Sequence, residues 1–231
     1  MCFSSEASLI AGGVLLITGV ATIKKVRCQR DIPIALIPLL FALQQFTEGF
    51  LWIALENGDI PQTQFWLTNI YGVFIGVIWP LYASFAVYQG EPSVRRKRII
   101  VFTGLVGLGL ATYTILGLFK QPVVSEIINY SIRYQHEIDS HRLVMVMYLL
   151  ATCIPFIISS YRFLYTAGIV ITIGFFVAFF TYQETFASVW CFFAAIASTL
   201  IYFYITKHIK KPLIPVYITK IPSVFSSPEK K

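Results

Sequence analysis

Seven apolar stretches follow one another along the chain, near 6–23, 33–55, 65–88, 99–119, 143–160, 164–182 and 186–206. At ~1.5 Å of rise per residue, each helix so formed approaches or exceeds the roughly 30 Å of a bilayer's hydrocarbon core. Within lipid a backbone has to satisfy its own hydrogen bonds, so stretches of this kind become helices. The expected fold is all-α: a seven-transmembrane helix bundle over residues 1–206, followed by a basic tail at 207–231. The fifth and sixth stretches are separated only by a tight turn around Ser159, Ser160, Tyr161 and Arg162. Composition agrees, with 57% hydrophobic and 13% charged residues. Soluble domains carry roughly 45–50% and about 25%.

Charge placement sets the direction. Lys24, Lys25, Arg27 and Arg30 follow the first stretch, and Arg95, Arg96, Lys97 and Arg98 follow the third. Arg162 follows the fifth, and Lys207, Lys210, Lys211, Lys220, Lys230 and Lys231 follow the seventh. All fifteen fall on one side of a seven-span arrangement, leaving only Lys120, Arg133 and Arg142 on the other. The positive-inside rule then puts the N-terminus outside and the C-terminus in the cytoplasm. Six or eight spans would break this asymmetry. The net charge of +7 thus reflects membrane topology, and no nucleic-acid module accompanies it. The expected setting is a plasma or inner cell membrane, with the lipid bilayer as the first partner. The first stretch reads as an N-out anchor, because its positive charges come after the apolar run.

Small residues at four-residue spacing mark close helix contacts: Ser8 with Gly12, Gly107 with Ala111, and Ala187, Cys191, Ala195 and Thr199. Pro38, Pro80 and Pro155 lie inside spans and bend them. Spans one to three and five to seven form two triplets of the same direction, with Trp79 and Trp190 in the third member of each. This allows a 3+1+3 arrangement of the kind that transporters with parallel repeats use.

Glu48 stands near the middle of the second span. A carboxylate there costs roughly 2.5–3.5 kcal/mol on insertion scales, so a site role is the default expectation. Gln44, Glu48 and Trp52 share one helical stripe, and Gln45 lies one turn before Glu48. The second span runs outward, so Glu48 falls toward the outer side. Cys2, Glu6, His141, Trp190 and Cys191 are placed at the same end by the topology. The expectation is an externally open polar pocket for a small solute or ion. Glu48 is its proton- or cation-coupled group, Gln44 and Gln45 its hydrogen-bonding groups, and Trp52 and Trp190 its aromatic walls. His141 is a titratable gate, and either His141 or Arg142 could partner Glu48.

Two alternatives stay open. Cys2, Glu48, His141 and Cys191 have the ligand chemistry for zinc or copper, and so for a membrane-embedded enzyme acting on a lipid or small amphiphile. No local ligand spacing supports this, so no cofactor is expected. A Cys2–Cys191 disulfide would use two of the same residues. The other alternative is a structural or sensory subunit in which the polar cluster only fixes packing. No P-loop, nucleophile elbow or dinucleotide fingerprint occurs.

The opening Met-Cys-Phe-Ser-Ser-Glu-Ala-Ser, with Gly12, Gly19 and Lys24-Lys25, resembles an uncharacterised family of small bacterial multi-pass membrane proteins. Pro38 to Trp52, Tyr148 to Cys153 and Ser188 to Ala195 carry the same resemblance, which spans nearly the whole chain. It implies no known activity. It implies that Cys2, Gln44, Gln45, Glu48, Trp52, Trp190 and Cys191 stand at the family's motif positions. Bacterial seven-helix ceramidase-like hydrolases are a looser comparison, since their pattern needs several span histidines that this chain lacks.

Overall fold

A computed structural model describes residues 4–58, 60–128, 130–135, 142–182 and 185–208. Seven helical rods emerge among them. They are α1 (Ser5–Ile23), α2 (Ile32–Glu56), a composite of α3 (Pro61–Val73) and α4 (Trp79–Gly90), and α5 (Val94–Lys120). A second composite of α6 (Arg142–Thr152) and α7 (Ile154–Ile157) follows, then α8 (Arg162–Thr181), and finally α9 (Phe186–Ser198) running into α10 (Leu200–Phe203). Six of the rods are long and apolar enough to cross a membrane. The Arg142–Ile157 rod is the exception.

The expected fifth span, near 143–160, is therefore corrected to a shorter, broken rod. Pro155 lacks the N–H that would bond the Ala151 carbonyl, and the helix breaks at Cys153. Ser84 Oγ from α4 donates to the freed Ala151 carbonyl at 3.4 Å. Pro80 has a different consequence. The turn before it, Phe74–Ile78, widens into a π-helix between α3 and α4, so the rod continues through the proline. Pro38 lies inside an unbroken α2.

Consecutive rods pack side by side, and α9–α10 returns against α1 and α2 to close the bundle. Lipid supplies no hydrophobic drive between rods, so close approach depends on small residues. The buried face of α1 is Ser5, Ser8, Gly12, Leu15, Gly19 and Thr22, which contains the expected Ser8–Gly12 stripe. At Gly107 of α5 an added Cβ would lie 2.0 Å from the Pro80 carbonyl oxygen.

The segment between α5 and α6 carries a β-hairpin. β1 (Val124–Ile128) pairs antiparallel with β2 (Ser131–Gln135), with Glu126 opposite Arg133. Arg133 Nε donates to Glu126 Oε1 at 2.7 Å across the pair. Side chains alternate between the two faces of a strand. Ile132, fully buried, and Tyr134 therefore turn inward together, against Leu51, Trp52, Leu55 and Leu67. Tyr134 stacks on Tyr71 of α3 at 4.4 Å between ring centroids. Thr68 and Ser125 share a 2.6 Å hydrogen bond, and Asn69 Oδ1 accepts from the Val123 N–H at 3.1 Å. The hairpin thus sits over one end of the bundle, against the C-terminal part of α2 and the N-terminal part of α3. The basic loops lie at the opposite end.

Candidate functional site: a sealed polar cluster between α2 and α9

Gln44 and Glu48 are four residues apart on α2, and Ser188 and Cys191 are three apart on α9. Both spacings place the pair on one helical face. The two helices run in opposite directions, so the pairs meet in register. Ser188 Oγ donates to Glu48 Oε1 at 2.6 Å, and Gln44 Nε2 donates to Cys191 Sγ at 3.0 Å. Gln45 Nε2 approaches Glu48 Oε2 at 3.4 Å. From α4, Trp79 Nε1 donates to Gln44 Oε1 at 2.6 Å. Tyr71 of α3 also lies against the Cys191 thiol. Three rods therefore fix both ends of the Gln44 amide, which leaves it a single orientation.

Gln44, Gln45, Glu48, Ser188 and Cys191 are all fully buried, at 0% exposure. The expected externally open pocket is therefore corrected to a closed one. The cause is the hairpin and the aromatic layer beneath it. Trp52, one turn C-terminal to Glu48, is buried against Leu51 and Ile132. Its indole N–H has no hydrogen-bond partner among the described residues. Replacing Ile132 with Asp would place a charge against Trp52 and Leu51, an uncompensated burial worth several kcal/mol. The hairpin is expected to lift, giving faster amide exchange over 124–135 and iodide quenching of Trp52 fluorescence that the parent protein lacks.

The other expected site residues divide. Trp190 is buried but turns toward α8, where Nε1 donates to the Ile171 carbonyl at 3.3 Å. Its ring packs edge-on to Tyr148 and walls a deeper cavity rather than the Glu48 cluster. Glu6 is exposed in the first turn of α1 and does not join the cluster. Its charge there complements the helix N-terminus. Arg142 is exposed at the start of α6. Cys2, His141 and the tail beyond 208 lie outside the described residues. Cys191 is a free thiol, and among the described residues no three His, Cys, Asp or Glu side chains group as metal ligands.

Tyr71 and Trp79 belong to the cluster without having been singled out for it. Ser188, which opens the seventh span beside Trp190 and Cys191, repeats with Cys191 on α9 the face that Gln44 and Glu48 make on α2. A second buried polar group went unnoticed at the basic end. Glu91 accepts from the Ser160 hydroxyl, from the Ser160 N–H at 2.8 Å and from the Ser93 N–H at 3.1 Å. Asp31 accepts from the Tyr204 hydroxyl at 3.3 Å. Both acids are almost fully buried. Burial pushes the neighbouring Tyr161 hydroxyl above its ordinary range, with Arg30 opposing. Arg96 donates to the Ile158 carbonyl at 2.9 Å, so this end is pinned by bonds between its loops. The signal here was sign: Asp31 and Glu91 are acids in otherwise basic loops.

Six helical rods long and apolar enough to cross a membrane, with a desolvated polar cluster between them, suggest a membrane protein. A family model described as a family of unknown function, DUF6629, matches residues 1–213, and the chain belongs to that family. No curated protein and no solved structure matches the chain.

Proposed function

We propose that the protein binds or translocates a small solute or ion in the plasma membrane, with Glu48 as the proton- or cation-coupled group. The observation that carries this is a fully buried carboxyl held by a hydroxyl and an amide donated from two helices. An ionisable group held inside the bundle in this way is by default a functional one, which suits exchange of a proton or a cation. Gln44, Gln45 and Ser188 orient it, and Trp52 closes it from the hairpin side. In this reading the described arrangement is an occluded state, and the hairpin is the outer cover. The supporting test uses proteoliposomes loaded with a pH-sensitive dye. Proton entry driven by an imposed sodium or potassium gradient is expected for the parent and absent for Glu48→Gln. Equal rates in both would end the proposal.

The orientation we favour is N-terminus outside and C-terminus cytoplasmic. The hairpin then faces outward, and the basic loops face the anionic inner leaflet. Cys28 offers a direct check, because it is exposed near the basic end while Cys153 and Cys191 are buried. With Cys2 replaced by Ser, a membrane-impermeant maleimide is expected to label Cys28 only after cells are opened. Labelling on intact cells would reverse the topology. The 3+1+3 arrangement also belongs to this proposal. It is supported by the way Trp79 and Trp190, the corresponding tryptophans of the two triplets, meet at one cavity.

A further inference from the structure

Two tyrosines meet at the basic end of the bundle, and each is fixed by a buried acid. Tyr204 follows α10, and its hydroxyl donates at 3.3 Å to Asp31, in the turn before α2. Gly90 leaves room for this bond, since a Cβ added there would lie 3.2 Å from the Tyr204 hydroxyl. Tyr161 stands in the turn between α7 and α8. Its neighbour Ser160 donates its N–H, at 2.8 Å, and its hydroxyl to Glu91, the residue that ends α4. The two rings meet edge to face, with centroids 4.9 Å apart. Asp31, Glu91 and Ser160 are buried with them.

The pair lies between the Glu48 cluster and the basic loops. Ile201, one turn before Tyr204, lines a small gap of about 30 Å³ together with Trp79 and Ser198. On its other side Trp79 holds Gln44. The two ends of the bundle are thus closed by different chemistry. The hairpin closes its end by apolar packing of Ile132. At the basic end the closing bonds run to acids, although backbone carbonyls serve for other ties there. Tyr82 donates to the Pro33 carbonyl at 2.8 Å and Arg96 to the Ile158 carbonyl at 2.9 Å. Burying a carboxyl is costly, and the cost is recovered when water reaches it. Hydrogen bonds exchange for bonds to water at small net cost. A layer closed on acids is therefore poised to open. The rod that carries Tyr204 is also jointed: it breaks at Thr199, and Tyr204 begins a π-turn, Tyr204–His208. Turns of this kind are frequent at functional sites and kink the helices that hold them.

We infer that this layer is an inner gate: the Tyr161–Tyr204 pair closes the way from the Glu48 cluster to the basic side, and Asp31 and Glu91 are the latches that hold it shut. Its use rests on the translocation reading above, while its existence is read from the contacts between loops. With the hairpin down and both latches made, the protein is closed at each end.

Cysteine accessibility tests the gate without measuring transport. The reporter is Ser198→Cys, beside the gap, in full-length protein carrying Cys2→Ser and Cys28→Ser. A membrane-impermeant methanethiosulfonate is applied from one side of sealed vesicles, sidedness being set by the Cys28 labelling of the parent, and its addition is read by mass. Protein that retains Ser198 gives the background from the buried Cys153 and Cys191. Slow labelling is expected while the latches are intact. Tyr204→Phe removes only the hydroxyl that Asp31 holds, and Ser160→Ala only the hydroxyl that Glu91 holds. Each is expected to raise the rate from the basic side about tenfold, because the bond lost is one to an acid. Labelling from the hairpin side is expected to stay as it was. Either variant suffices if the other does not fold. A rate from the basic side that no folded variant changes would overturn the gate. Equal rises from both sides would also overturn it, since they mark a bundle loosened throughout. Parent-like proton entry in Glu48→Gln would end the translocation reading, whereas only these rates decide the gate.

Discussion

Replacing Gly107 with Ala is expected to be among the most destabilising single methyl additions in the molecule. The new Cβ would sit 2.0 Å from the Pro80 carbonyl oxygen, which is backbone and has no rotamer through which to move. Either α5 or the α3–α4 rod has to shift, and overpacking of this kind costs about 1–3 kcal/mol, occasionally more. The gain in helix propensity from Gly to Ala, roughly 1 kcal/mol, opposes this but does not cancel it. Gly109, two residues on, provides the control. It is exposed, and the nearest atom to an added Cβ is the Met147 terminal methyl at 3.9 Å. Gly109→Ala is expected to hold or raise the thermal midpoint in detergent, while Gly107→Ala lowers it by several degrees. Equal midpoints for the two variants would mean that α5 does not rest on the Pro80 carbonyl.

The second large effect separates a working carboxyl from a structural one. Glu48→Gln keeps an oxygen for Ser188 and removes only the titratable group. If Glu48 serves function, the amide variant inserts, folds and matches or exceeds the parent in thermal stability, because functional charges are commonly held at a cost to stability. Glu48→Leu is different, since it strands the Ser188 hydroxyl and the Gln45 amide. A buried polar group left unmade costs about 1–3 kcal/mol. The expected order of stability is Glu48→Gln at or above parent, then Glu48→Leu below both. If Glu48→Gln falls as far as Glu48→Leu, the charge itself holds the bundle together, and the packing interpretation is preferred.

Much of this architecture was legible in the chain. Apolar length and the placement of basic residues located seven rods, because lipid leaves the backbone so few options. The exceptions trace to particular residues. Pro80 and Pro155 look alike in sequence, yet one is absorbed by a π-turn and the other breaks its rod. That difference depends on neighbours, with Ser84 meeting the carbonyl that Pro155 releases. The hairpin was hidden because only Ile132 and Tyr134 carry its inward face, too short an alternation to stand out from a polar loop. Its presence is what turns an expected open vestibule into a sealed cluster. Gln44 and Glu48 were visible as a costly polar stripe on α2. Their partners on α9 required the helix order, which no periodicity encodes. Asp31 and Glu91 were passed over because loop acids are ordinarily solvated, whereas here Tyr204 and the Ser160 backbone cover them.

The central claim is that Glu48 exchanges a proton or a cation, and difference infrared spectroscopy of the protein in lipid addresses it most directly. The bulk pH is stepped, with and without sodium or potassium, and the carboxyl C=O band is followed in the parent and in Glu48→Gln. The account predicts a band that responds to pH or to the cation in the parent and is missing from Glu48→Gln, while the remaining carboxyl signals persist in both. A spectrum in which pH and cations change nothing that Glu48→Gln removes would contradict it.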